Sequence, residues 1–181
     1  HVRETGECAA CDSIWLPAAG VECRTAAVGV TMKTVTIPGP MGPFLIPAEP
    51  QNTREHAEWI SKMVWDGEYS HPDIPREGIR SILDIGAHCG SFAVLCRHQY
   101  GKDVVIDCYE PNPHACEMLK DNAPGVRVHC VAVTSDPDPL YELPWDWGSA
   151  KTWGIKNAPA YGERFKVPAL HPRDLPPAEM I

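Results

Sequence analysis

The apolar positions of this chain fall into runs whose period changes along its length, and each change marks an element. In its middle, Ile82, Leu83 and Ile85 surround a single acid, Asp84, the pattern of a short parallel strand buried on both faces. Gly86 and Gly90 follow within five residues and predict a tight turn with close backbone approach above the strand end. Residues 91–98 then take helical spacing. The alternation repeats downstream: an apolar strand over 104–109, a helix over 113–122 with proline at its start, and a third strand over 126–133. Strand, helix, strand, helix, strand with short connections predicts an α/β unit with parallel pairing through crossover helices.

The flanks are less regular. Val30, Met32, Val35 and Ile37 suggest strands near the end of the first 37 residues. Residues 38–50 contain five prolines and are expected to have no regular structure in their middle. A helix is predicted over 53–65, with Thr53 as its cap and His56, Trp59, Ile60, Met63 and Val64 at helical spacing. The segment DGEYSHPDIPREG reads as a loop leading into the first parallel strand. Residues 134–177 read as irregular apart from one strand near 165–170, and 178–181 as the first residues of another buried strand. The organisation expected is an extension over 1–50, with short strands and a proline-rich linker, followed by the α/β domain over 51–181.

Composition narrows the function classes. A net charge of −8 with no Lys/Arg-rich run gives no electrostatic footprint for nucleic acid. No apolar segment approaches membrane-spanning length. Five of the eight cysteines (Cys89, Cys96, Cys108, Cys116 and Cys130) fall in predicted regular elements or the glycine turn. Free, buried thiols of a cytoplasmic protein are therefore expected rather than a disulfide framework.

The glycine turn carries the candidate chemistry. A dinucleotide fingerprint needs G-x-G-x-x-G, and here the middle glycine that admits a pyrophosphate is absent. Asp84, two residues before Gly86, would repel a pyrophosphate but suits a cationic or amino-acid group. Glu110 closes the second strand, where a carboxylate offers two oxygens to the two hydroxyls of a ribose. These features favour S-adenosylmethionine over a nicotinamide cofactor.

DIGAHCGSF, then YEPNP, then VHCVAV resemble the class I S-adenosylmethionine-dependent methyltransferases, and within them the FkbM-type family, over residues 64–181. The resemblance implies a Rossmann-like, doubly wound, mostly parallel sheet, to which the cysteine-containing N-terminal segment is a small appendage. It implies that Asp84, Gly86 and Gly90, with Ala87 and His88 in the same turn, line the methionine end of the cofactor. Glu110 would hold the ribose, Pro111 and Asn112 would flank the adenosine, and Val131 and Ala132 would lie near the adenine. His88 stands where the family usually has asparagine, either as an equivalent donor or as a solvent-facing turn residue. The family continues into a fourth strand where this sequence reaches Ile181. The sheet is thus expected to be incomplete on its C-terminal side, completed by a further segment or another chain.

The activity implied is methyl transfer, with oxygen of a small molecule or sugar as acceptor. Nitrogen methylation of nucleic acid or protein, and a non-catalytic binding module, are the alternatives. His71, His114, His129 and His171 are candidate general bases, His71 foremost because it lies in WDGEYSHPD, which resembles the G-E-Y segment preceding the family's first strand. Trp145, Trp147 and Trp153 read either as a wall of an acceptor pocket or as loop packing. Cys8, Cys11 and Cys23 read C-x2-C-x11-C, the beginning of a zinc-ligand pattern that lacks a nearby fourth cysteine.

Overall fold

The computed structural model describes residues 21–25, 31–47, 57–58, 60–69, 74–75, 77–135, 140–144 and 164–180. Strands β1 (Val21–Thr25), β2 (Thr31–Gly39) and β3 (Gly42–Pro47) form an antiparallel meander. A wide, π-wound helix, α1 (Ile60–Glu68), leaves helical geometry at Gly67. The break at Gly67 falls close to where the predicted helix gives way to the predicted loop, and the helix buries Ile60 and Val64.

Next comes the alternating unit: β4 (Ser81–Ile85), α2 (Ser91–Tyr100), β5 (Val105–Tyr109), α3 (Pro113–Asn122) and β6 (Arg127–His129). Its strands pair in parallel in the order β4-β5-β6, as the alternation predicts. Register puts Ile82 beside Ile106 and Asp84 beside Cys108, so these side chains share one face of the sheet. That face packs on α2 and α3: Ile82, Ile106 and Cys108 form one core cluster with Ala93, Val94, Cys96, Met118 and Leu119. The same cluster extends into the meander through Val35, Ile37, Phe44 and Ile46.

On the free side of β4, Met180 pairs in parallel with Ile82. Leu83 N donates to Met180 O at 2.9 Å, and Met180 N donates to Ser81 O at 3.3 Å. Residues 178–181 were expected to begin a strand, and this contact is where such a strand would add to the sheet. β4 therefore has β5 on one side and Met180 on the other.

Three expectations are corrected. Residues 38–50 are not irregular in their middle: residues 42–47 pair with β2 in an unbroken antiparallel register that sets Pro38 opposite Pro43 and Thr36 opposite Leu45. Leu45 N and O both bond to Asn122 rather than to β2, which fixes the outward phase of β3. Pro43 and Pro47 share that phase by twos, so the N–H each lacks would have pointed away from the ladder. Residues 126–133 are not one strand but two. β6 pairs with β5, the chain turns where Val131 N donates to His129 O (3.0 Å), and β7 (Ala132–Val133) pairs instead with β9 (Arg164–Leu170). A further strand that the irregular reading missed, β8 (Leu140–Pro144), runs antiparallel to β9. Among the described residues, no helix is long and apolar enough to cross a membrane.

Candidate cofactor site

The site is built where β4 and β5 end. Beyond Ile85 the chain turns through Gly86 (φ +82°), His88 (φ +50°) and Gly90 (φ +90°). Three left-handed residues in five explain the composition of the turn: glycine adopts this region without strain, and histidine is among the side chains enriched there. Gly90 has a second constraint. A Cβ there would stand 3.1 Å from Leu119 Cγ, whereas one at Gly86 would meet open space. One glycine thus lets α3 approach, and the other leaves room above the strand end.

The turn is hooked to β5. Gly86 N and Ala87 N both donate to Tyr109 O, at 2.8 and 3.2 Å. Gly90 N donates to Ala87 O at 2.8 Å, and α2 starts at Ser91 with no side-chain cap on its first N–H groups. His88 N donates to Glu110 Oε2 and Asn112 N to Glu110 Oε1, both at 2.8 Å. The Glu110 carboxylate is held by one backbone N–H on each oxygen, which leaves each oxygen a further lone pair. Asn112 also caps α3, its Oδ1 accepting from His114 N at 3.0 Å, with Pro113 in the first turn. Behind the strand end, Cys116 Sγ donates to Glu110 O at 3.1 Å.

Three acids are buried in the parallel unit, and their surroundings differ. Asp107, 5% exposed, pairs with Arg127 and bonds His129 Nε2 at 2.8 Å, while His129 stacks on Tyr109 with ring centroids 4.5 Å apart. Glu110, 7% exposed, has its two N–H donors. Asp84, also 7% exposed, has a buried Oδ2 with no hydrogen-bond partner among the described residues. Burial, and after it the charge of Glu110, pushes the Asp84 carboxyl up to about 7. Burial also raises Glu110, opposed by the N–H groups of Asn112 and His88. Asp107 and Glu110 thus have a partner within the protein on each oxygen, whereas Asp84 Oδ2 has none among the described residues.

The structure therefore brings together Asp84, Gly86, Ala87, His88, Gly90, Glu110, Pro111 and Asn112 on the two strand ends. Val131 and Ala132 follow from His129, whose carbonyl accepts from Glu110 N at 3.1 Å, but Ala132 is committed to the β7–β9 pair. His71, Cys8 and Cys11, and Trp145, Trp147 and Trp153 lie outside the described residues, and only the backbone of Cys23 is described, in β1 opposite Lys33. Among the described residues no group of three or more His, Cys, Asp or Glu side chains is arranged to hold a metal ion.

Cys89, Cys96, Cys108 and Cys116 are free and buried, and Cys130 is free and half-buried. Burial pushes the Cys89, Cys96 and Cys108 thiols well above their usual range, which suits core packing rather than nucleophilic chemistry. Sequence reasoning missed Asn122, which hydrogen-bonds both Leu45 and Cys89; no local pattern in the sequence signals a bond to so distant a strand. No protein-family model matches the chain, and neither a curated protein nor a solved structure matches it.

Proposed function

We propose that this chain binds S-adenosylmethionine over the ends of β4 and β5 and donates its methyl group to an oxygen of a small molecule or sugar. The observation that carries the reading is the contrast between Glu110 and Asp84. Glu110 is aimed by two N–H groups yet keeps one acceptor position free on each oxygen, which suits the two hydroxyls of a ribose. Asp84 keeps a buried oxygen without a donor, which suits the ammonium of a methionine moiety. The open space at Gly86 lies between them in the chain, and the absence of a phosphate-cradling glycine agrees with a cofactor that has no phosphate. The order β6-β5-β4 with Met180 beyond β4 is what the first half of a Rossmann-like, doubly wound sheet requires.

Bound there, S-adenosylmethionine supplies an electrophilic methyl carbon on a sulfonium. The residues of this chain bind and orient: Glu110 holds the ribose, Asp84 the cationic end, and the Gly86–Gly90 turn forms the floor. Positioning is the main catalytic contribution such a site makes, and the proton of the acceptor hydroxyl would leave to a general base or to solvent. The acceptor class is carried by the resemblance to FkbM-type methyltransferases.

Titration calorimetry with S-adenosylmethionine tests the reading. Replacing the Glu110 carboxylate removes two charge-assisted hydrogen bonds, worth roughly 3–6 kcal/mol together, so Glu110→Ala should weaken binding by about a hundredfold or more. Glu110→Gln, which keeps the shape but places an NH2 against one of the two backbone donors, should weaken it by at least about tenfold with circular dichroism unchanged. Absence of binding to the native chain removes the proposal.

A further inference from the structure

Asn122 is the last residue of α3, and its amide makes three hydrogen bonds across the molecule. Oδ1 accepts from Leu45 N at 2.7 Å, and Nδ2 donates to Leu45 O and to Cys89 O, each at 2.8 Å. The first two bonds occupy the outward-facing groups of β3, so the side chain takes the place of a neighbouring strand along that edge. The third reaches into the glycine turn. One helical turn earlier, Leu119 lies under Gly90. The end of α3 therefore grips the turn at two adjacent residues, Cys89 and Gly90, and grips the meander at Leu45.

Docking the meander needs only the Leu45 pair. The bond to Cys89 O has a different consequence, because fixing that carbonyl fixes the plane of the Cys89–Gly90 peptide. Gly90 N is thereby set toward Ala87 O (2.8 Å), and the preceding residue, His88, is the one whose N–H aims the Glu110 carboxylate. We propose that Asn122 is a positioning residue: through Cys89 it holds the glycine turn in the conformation that aims Glu110, and it couples that conformation to the docking of the β2–β3 hairpin. Its effect on ligand binding rests on the cofactor reading above; its effect on the turn does not.

Hydrogen–deuterium exchange followed by mass spectrometry, paired with S-adenosylmethionine titration, tests this on the whole chain. In Asn122→Ala, exchange over residues 86–94 should rise at least about tenfold and exchange over 42–47 should rise with it, while 105–109 stays unchanged. Cofactor affinity should fall at least about tenfold. Asn122→Asp keeps the acceptor for Leu45 N but loses both donated bonds, so 86–94 should loosen more than 42–47. Leu45→Pro removes the N–H bonded to Asn122 and sets a ring CH2 against its Oδ1, besides shortening the half-buried side chain. It shares the outward phase of Pro43 and Pro47, so the ladder survives, and exchange over 86–94 should rise although the change lies on the hairpin.

Faster exchange confined to 42–47 in Asn122→Ala would reduce Asn122 to a docking residue and overturn the inference. An equal rise over 105–109 would overturn it as well, by making the effect global. If the native chain binds no S-adenosylmethionine, the cofactor reading fails and the exchange comparison still decides the role of Asn122.

Discussion

One proton on Asp84 links the stability of the fold to the proposed cofactor site. Its carboxyl is pushed up to about 7 in the folded chain, first by burial and then by Glu110, from an ordinary 3.8. Between these values the folded chain holds a proton that the unfolded chain has released. Stability contributed at low pH is therefore lost as pH rises through this window, and above 7 the cost is on the order of 4 kcal/mol. Asp84→Asn should raise the thermal midpoint by several degrees at pH 8 and leave it nearly unchanged at pH 4, as read by circular dichroism. The same linkage governs the ligand. A cationic group beside Asp84 favours the ionised form, so S-adenosylmethionine should bind roughly tenfold more weakly at pH 6 than at pH 8. Calorimetry giving equal affinities at the two pH values would remove Asp84 from the site. The two glycines of the turn separate in the same way. Gly90→Ala combines a left-handed backbone with a methyl 3.1 Å from Leu119, and should destabilise by about 2–4 kcal/mol in a urea titration. Gly86→Ala meets open space and should cost about 1–2 kcal/mol for its backbone alone.

At the scale of elements, the β2–β3 hairpin is where composition misleads and phase decides. Its prolines were expected to forbid a strand, yet Pro43 and Pro47 alternate with Phe44 and Ile46, which face the core. Phe44 is 1% exposed and meets Trp65 edge-on, with ring centroids 5.2 Å apart; Trp65 Nε1 in turn donates to Ser91 O at the start of α2. Phe44→Ala should therefore cost about 3–5 kcal/mol in denaturant titration, and Pro43→Ala, at an exposed position with no ladder bond to gain, within about 0.5 kcal/mol. The elements that were legible in the sequence are those whose signal is local. β4, β5, α2 and α3 are each set by a short apolar period, a glycine pair or a proline at a helix start. The phase of Pro43 and the change of partner between β6 and β7 depend on which strand lies alongside, and residues 126–133 are apolar enough to read as continuous across that break. Asp84, Gly86, Gly90 and Glu110 were legible because a strand end followed by glycine exposes its chemistry in the sequence. Asn122 was not, because its partners lie 77 and 33 residues away.

For the whole molecule, what matters is that β4 has neighbours on both sides. In open α/β sheets, ligands bind at the carboxyl ends of strands where the connections diverge to opposite sides. β4 leads to β5 on one side, and much later the chain returns to its other side at Met180. The divergence therefore falls beside Asp84 and the glycine turn. Were β4 an edge strand, its outward amides would be open to water; here Leu83 N is bonded to Met180 O, and the carboxylate of Glu179 accepts from Arg80 N. The Leu83 amide therefore reports on the arrangement. It should exchange slowly in the native chain, and faster by at least about tenfold in Met180→Pro, which removes the donor to Ser81 O and disturbs the pairing, while the amides of β5 stay protected. The same variant should weaken S-adenosylmethionine several-fold, because one wall of the crevice is loosened while Glu110 and its two donors are untouched. A Leu83 amide that exchanges as fast in the native chain as in Met180→Pro would make β4 an edge, and the divergence beside Asp84 would no longer exist to hold a ligand.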